Sequence, residues 1–189
     1  MRVVSDSGPL HYLALLDELD LLRKLYGSVL IAPAVAKELS ASATPAVVKE
    51  RMANAGSRIG IEAPLERTDP IFQGAPDAGE CETIALASAI HADLTLLDDL
   101  AARREARRRR MRVTGTLGIL YAAAELDLIR VTEVIPRLQA ANFYFDEELV
   151  RPFFRSGSNA GVGRIVGPGS SESIRDSRAL PERPSWSFS

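Results

Sequence analysis

The chain has 189 residues, of which 46% are hydrophobic, with a formal net charge of −2 and one cysteine. That length suits one domain with an appendage, and the apolar fraction suffices for a sizeable core. The near-neutral balance excludes a polycation, so any nucleic-acid affinity must come from a local patch. Cys81 alone excludes an internal disulfide framework and a multi-cysteine zinc site.

The elements follow in chain order. Residues 2–5 read as a first strand. Ser7-Gly8-Pro9 opens a helix, with Pro9 suited to its first turn. Leu10, Leu13 and Ala14 carry helical spacing, which resumes at Leu19, Leu22 and Leu25 after a break near Asp17 and stops at Gly27. Val29 to Ile31 is a second strand. A helix from Pro33 to Leu39 carries Glu38, and another runs from Ala46 to Ala55. Residues 56–76 read as irregular, with a strand at Ile59 to Ile61. Asp77 and Glu80 have capping-box spacing, and the helix they start continues to about His91. Leu94 to Leu97 is a strand, Ala101 to Met111 a helix, and Val113-Thr114 a brief strand. Thr116 is expected to cap a helix through about Ala124. Val131 to Ala141 and Glu147 to Phe154 complete the helices. Strands alternating with helices predict an α/β fold around a parallel sheet.

After Phe154 the composition turns to Gly, Ser, Pro and Arg. The expected organisation is a folded domain over residues 1–155 and a disordered tail over 156–189. The start of the chain lacks a signal-peptide pattern, and no apolar run reaches the roughly 18–20 residues that span a bilayer. A cytoplasmic protein is expected.

Acids stand at the ends of these elements: Asp6, Glu38, Glu80, and the pair Asp98-Asp99. In an open parallel sheet, sites form at the carboxyl ends of the strands. Carboxylates gathered there repel one another unless a cation joins them, and hard oxygen ligands select Mg²⁺ or Mn²⁺. Each acid also has a plainer reading. Asp6 and the Asp98-Asp99 pair suit helix N-caps, Glu38 suits a surface position, and Glu80 suits a capping box. Glu82 lies roughly 200° around the helix from Glu80, so the two cannot easily face one metal, and Glu80 is favoured. Asp98 and Asp99 are not distinguished. Downstream, Arg103, Arg104, Arg107, Arg108, Arg109, Arg110 and Arg112 form a basic stretch. Arg103, Arg107 and Arg110 share helical spacing and are the candidates for phosphate contact. No aromatic residue interleaves with them, so base stacking is not indicated. The chain has no nucleophile elbow, Walker loop or dinucleotide glycine motif.

The segments VVSDSGPL (3–10), VAKEL (35–39), DAGECETIALA (77–87), LLDDLAAR (96–103) and VTGTLG (113–118) occur in order. Together they resemble the PIN-domain family, and more closely its VapC-like branch labelled DUF3368, over about residues 1–155. The resemblance implies an α/β/α sandwich around a parallel sheet and a Mg²⁺- or Mn²⁺-dependent ribonuclease acting on single-stranded RNA. Many such relatives are toxins that form homodimers and are inhibited by a small antitoxin. By position, Asp6, Glu38 and Glu80 match the acidic cluster, and Asp98 and Asp99 both fall at its last acidic position. Asp6, Glu80 and Asp98 or Asp99 are the expected metal ligands. Thr114 or Thr116 matches the polar residue after the last strand and joins the candidates for RNA contact. A PIN-like module that binds RNA or a protein without cutting is the competing expectation. A haloacid-type phosphatase is disfavoured, because Asp6 is followed by Ser7-Gly8 and lacks the second carboxylate of an Asp-x-Asp motif. A receiver domain is disfavoured because it would want an early acid pair and a mid-chain phosphoacceptor Asp.

Overall fold

Val3, Val4 and Ser5 are almost wholly removed from solvent, as a strand covered on both faces must be. They form β1, the middle strand of a five-stranded sheet. In the computed structural model, which describes residues 1–64 and 77–145, β1 (Val3–Ser5) lies between β2 (Val29–Ile31) and β4 (Leu94–Leu96). β3 (Ile59–Ile61) and β5 (Val113–Thr114) form the edges, giving the order β3-β2-β1-β4-β5. Every pairing is parallel. Val3, Val4 and Ser5 stand opposite Leu94, Thr95 and Leu96. The chain winds outward from β1 in one direction and returns to its other side at β4. The carboxyl ends of β1 and β4 therefore flank the topological switch point, where α/β sheets form their sites.

Eight α-helices are described. They are α1 (Ser7–Leu16), α2 (Asp20–Tyr26), α3 (Pro33–Ser40), α4 (Ala46–Asn54), α5 (Ala78–Ala89), α6 (Leu100–Arg108), α7 (Thr116–Glu125) and α8 (Val131–Ala140). The fold is the expected PIN-like α/β/α arrangement around a central parallel sheet. α1 buries Leu10, Leu13 and Ala14, the row that the helical spacing predicts. It ends because Asp17 adopts a left-handed backbone (φ 63°), with the Glu18 amide donating to the Leu13 carbonyl at 2.8 Å. None of the described helices is long and apolar enough to cross a membrane.

Some boundaries differ from expectation for local reasons. α6 begins at Leu100 because Asp99 caps it, and it closes before Met111 because Arg110 turns left-handed (φ 61°). Thr116 does not cap α7. Gly115 holds the cap position, and the Thr116 hydroxyl is turned to Asp98 instead. The expected helix over 147–154 and the tail from residue 156 lie outside the described residues.

Glu82, which the sequence ranks behind Glu80, serves packing. α3 starts with Ala32 at its cap position and Pro33 next, and neither supplies a capping side chain. Glu82 Oε2 on α5 accepts the orphan Ala34 amide at 2.9 Å. A half-buried charge-assisted bond of this kind joins the two helices that carry the site acids. Replacing Glu82 with Ala should lower stability by about 1–2 kcal/mol, read as a drop in denaturation midpoint at unchanged m-value. An unchanged midpoint would contradict this role.

Candidate active site

Asp6 is the first residue beyond β1. Its amide donates to the Leu96 carbonyl at 3.0 Å, which extends the β1–β4 ladder by one step and drives the carboxylate into the sheet edge. The residue is only 6% exposed, and its Oδ1 has no hydrogen-bond partner. It occupies the N-cap position of α1 without making a cap bond. Burial pushes its pKa from 3.8 up to about 7, and the charges of Asp77 and Glu38 add to the rise. The backbone amides of Ser7 and Gly8 partly oppose it.

Two further acids close on the same point, and Gly79 marks it. A Cβ at residue 79 would lie 3.2 Å from Glu38 Oε2, 3.3 Å from Asp77 Oδ1 and 3.6 Å from Asp6 Oδ1. Carboxylate oxygens from α3, from the start of α5 and from the end of β1 thus surround one glycine Cα, and any side chain there would intrude among them. Glu38 is oriented by Ser7, whose hydroxyl donates to Oε1 at 2.9 Å. Asp77 accepts the Glu80 amide at 2.9 Å, and Glu80 Oε2 accepts the Asp77 amide at 3.0 Å, a complete capping box. Glu80 is half-buried, and its pKa is raised to about 7 by burial first, then by the charge of Asp99, with Asp77 and Asp6 adding to it. Glu80 therefore completes the capping box and also lies within electrostatic reach of Asp99 and Asp6. Asp77, expected only as a cap, and Ser7, expected only at the start of a helix, join the acids here. Their signal was available: Asp77 opens the same helix as Glu80, and Ser7 follows Asp6.

The pair at the end of β4 divides its work. Asp98 turns toward β5. Its Oδ1 accepts the Thr116 amide at 2.7 Å and its Oδ2 accepts the Thr116 hydroxyl at 2.6 Å. Oδ2 also lies 3.3 Å from where a Gly8 Cβ would stand, and Oδ1 only 2.5 Å from a Cβ at Gly115. Only glycine fits at 115. Burial pushes the Asp98 carboxyl upward, while the Thr116 bonds and the Arg103 charge oppose that rise. Asp99 is exposed, and its charge raises the Glu80 carboxyl. Its Oδ1 caps α6 by accepting the Ala101 and Ala102 amides at 2.7 and 2.8 Å.

Thr116 is fully buried and bonded to Asp98, so it offers RNA no surface, contrary to expectation. Thr114 is half-buried on β5 and faces Gly118. The basic stretch is not a uniform stripe. Arg108 and Arg109 pair with Glu105 at 2.9 and 2.8 Å, and Arg110 lies past the helix end. Arg103 is half-buried beside Gly115 and Asp98, with Arg107 next to it and its own Nε unpartnered.

Among the described residues, no group of three acids already stands in ligating geometry. The donor set nevertheless fits a hard divalent cation. It is all oxygen, it surrounds one glycine, and it contains a buried carboxylate oxygen that lacks a partner. A family model, DUF3368: PIN domain, matches residues 2–158. No curated protein matches the chain.

The Asp6 shift carries a sign. Its folded-state pKa lies above the ordinary value, so the native state holds that proton more tightly than the unfolded chain does. The stability it contributes is complete below about pH 4 and is lost as pH rises through about 7. Chelator-treated protein should melt at a lower temperature at pH 8 than at pH 5, and Asp6→Asn should reduce that fall, with Glu80, also raised to about 7, carrying part of the rest. A midpoint that climbs with pH, unaltered by Asp6→Asn, would contradict the assignment.

Proposed function

The chain belongs to the PIN-domain family, a family of nuclease type, and from that premise we propose that it is a divalent-metal-dependent ribonuclease that cuts single-stranded RNA. The observation that carries this reading is the convergence of Asp6, Glu38 and Asp77 oxygens around Gly79 at the switch point of the sheet. Such a concentration of negative charge suits an Mg²⁺ or Mn²⁺ ion, which would in turn take the phosphodiester and supply the attacking water.

Asp6, Glu38, Asp77 and Asp99 would hold the ion, with Glu80 against them. When bound, a divalent ion lowers the pKa of water and offsets charge on the phosphate. The rest is done by the chain. Ser7 fixes the Glu38 carboxylate, and the Asp77–Glu80 box ties two acids to the start of α5. Asp98 acts as a positioning residue, because its two bonds to Thr116 fix the turn after β4, and that turn presents Asp99. Arg103 and Arg107, with Arg110 farther out, would receive flanking phosphates. Inhibition by a small antitoxin and assembly as a homodimer belong to the same reading. They rest on the order of the sequence motifs rather than on the geometry of the site. A module that binds RNA without cutting is the second reading, favoured by the absence of a ready ligating group among the described residues.

Asp6→Asn should reduce Mn²⁺-dependent cleavage of single-stranded RNA by at least about 100-fold while the protein stays folded. Calorimetry should show specific Mn²⁺ uptake by the unaltered protein and its loss in the variant. Full cleavage by Asp6→Asn, or no Mn²⁺ uptake at all, would favour the binding module. The acid pair is separated by Asp99→Ser, which keeps a good helix cap. It should change stability by less than about 0.5 kcal/mol yet lower cleavage at least about tenfold. Asp98→Asn should instead lose stability by about 1–3 kcal/mol, since it disturbs the bonds to Thr116. The reverse pattern would make Asp98 the ligand.

A further inference from the structure

An acidic site repels the polyanion it would cut. The cation and the arginines answer the phosphates, but they do not hold the bases. α1 supplies what could.

Ser7 and Gly8, in the first turn of α1, touch the two sides of the site. Ser7 bonds Glu38, and Gly8 packs on Asp98. Residues four apart lie on one helix face, with side chains tilted toward the N-terminus. His11 therefore continues the row of Ser7, and Tyr12 the row of Gly8, both leaning back toward the acids. The electrostatics agree with this placement: Glu38 opposes the lowering of the His11 pKa by burial, and Asp98 adds to the raising of the Tyr12 pKa. Both rings are half-buried, leaving part of each in solvent. They belong to an aromatic run. His11 meets Tyr12 edge-on at 5.3 Å, Tyr12 meets Phe143 edge-on at 4.6 Å, and Phe143 lies 6.1 Å from Phe145. An edge-to-face contact occupies the face of only one ring of the pair. The run thus starts beside the acids and is braced from behind by residues distant in sequence.

We propose that Tyr12 and His11, braced by Phe143, form a stacking platform for a base of single-stranded nucleic acid next to the scissile phosphate. The proposal rests on the ribonuclease reading for the identity of the strand. It adds a recognition element that the arginine stretch, which has no aromatic residues among its positions, cannot provide. Stacking on an aromatic ring is tolerant of sequence and demands an unpaired base, so the platform selects single strands over duplexes.

The test uses the full chain with a short single-stranded RNA and the same RNA made abasic at successive positions around the cut. In the unaltered protein, one base loss next to the cut should raise KM about tenfold with kcat changed less than about twofold. Tyr12→Leu should raise KM for intact RNA by a similar factor and lose sensitivity to that base loss, while Tyr12→Phe behaves like the unaltered protein. Binding is followed separately, in Ca²⁺ without turnover, by quenching of 2-aminopurine placed at that position. The quench should be present in the unaltered protein and in Tyr12→Phe, and absent in Tyr12→Leu. Should Tyr12→Leu fail to fold, the abasic series and the quench in the unaltered protein still decide. Cleavage that ignores every base loss, with no quench at any position, overturns the platform and leaves the ribonuclease reading standing. A Tyr12-dependent quench without cleavage overturns the ribonuclease reading and leaves the platform standing.

Discussion

A carboxylate buried at the end of the central strand, with one oxygen lacking any partner, is the constraint on which the rest of the site depends. Asp6 cannot retreat. Its amide is fixed to β4, its side chain emerges where two outward-winding halves of the sheet part, and α1 begins at the next residue. Burying an ionised carboxylate is costly unless it is paired, so the group either holds a proton or takes a cation. Burial, with the charges of Asp77 and Glu38, keeps that choice close to neutral pH. The site is thereby poised for a cation at some cost to the stability of the chain alone.

Around Asp6 the structure spends its helix ends. α5 starts with a capping box made of Asp77 and Glu80, and α6 starts with Asp99. Each capping acid satisfies backbone amides that any helix start leaves exposed, and each is also delivered to the site. The positive ends of α5 and α6 face the collected negative charge, which eases the repulsion among the acids. The glycines act by absence. Gly79 lets three carboxylates approach one point, and Gly115 lets Asp98 lie against the backbone of the β5–α7 turn. Stability and site assembly therefore share the same residues, and substitutions there should be read through both.

Much of this was legible in the sequence because it is local. Alternating short apolar runs and helical spacing gave a parallel α/β sheet, and the element order matched the structure closely at every described strand. The capping box was visible as Asp77 and Glu80 three apart. The helical angle sets Glu82 apart from Glu80, and the structure turns it to Ala34 on α3. Other features depend on what stands across the fold. Asp98 and Asp99 are chemically identical neighbours, and only the position of Thr116 on one side and Glu80 on the other tells them apart. Thr116 has the residue type of a helix cap, yet the Asp98 carboxylate eighteen residues earlier takes its hydroxyl. The arginine stretch contains no aromatic residue. The rings of α1 and of residue 143 are brought together by tertiary packing alone, which no spacing along the chain announces.

The sequence by itself determined which residues bear charge, where each strand ends in an acid, and hence the kind of chemistry the sheet edge can host. Those properties follow from spacing along one chain, where the periods of strand and helix fix direction. Tertiary structure alone decided which oxygens share a point, which acid of a pair binds Thr116, and which hydroxyl or ring is spent on packing. Convergence depends on strand order and register, and a parallel sheet brings together residues separated by most of the domain.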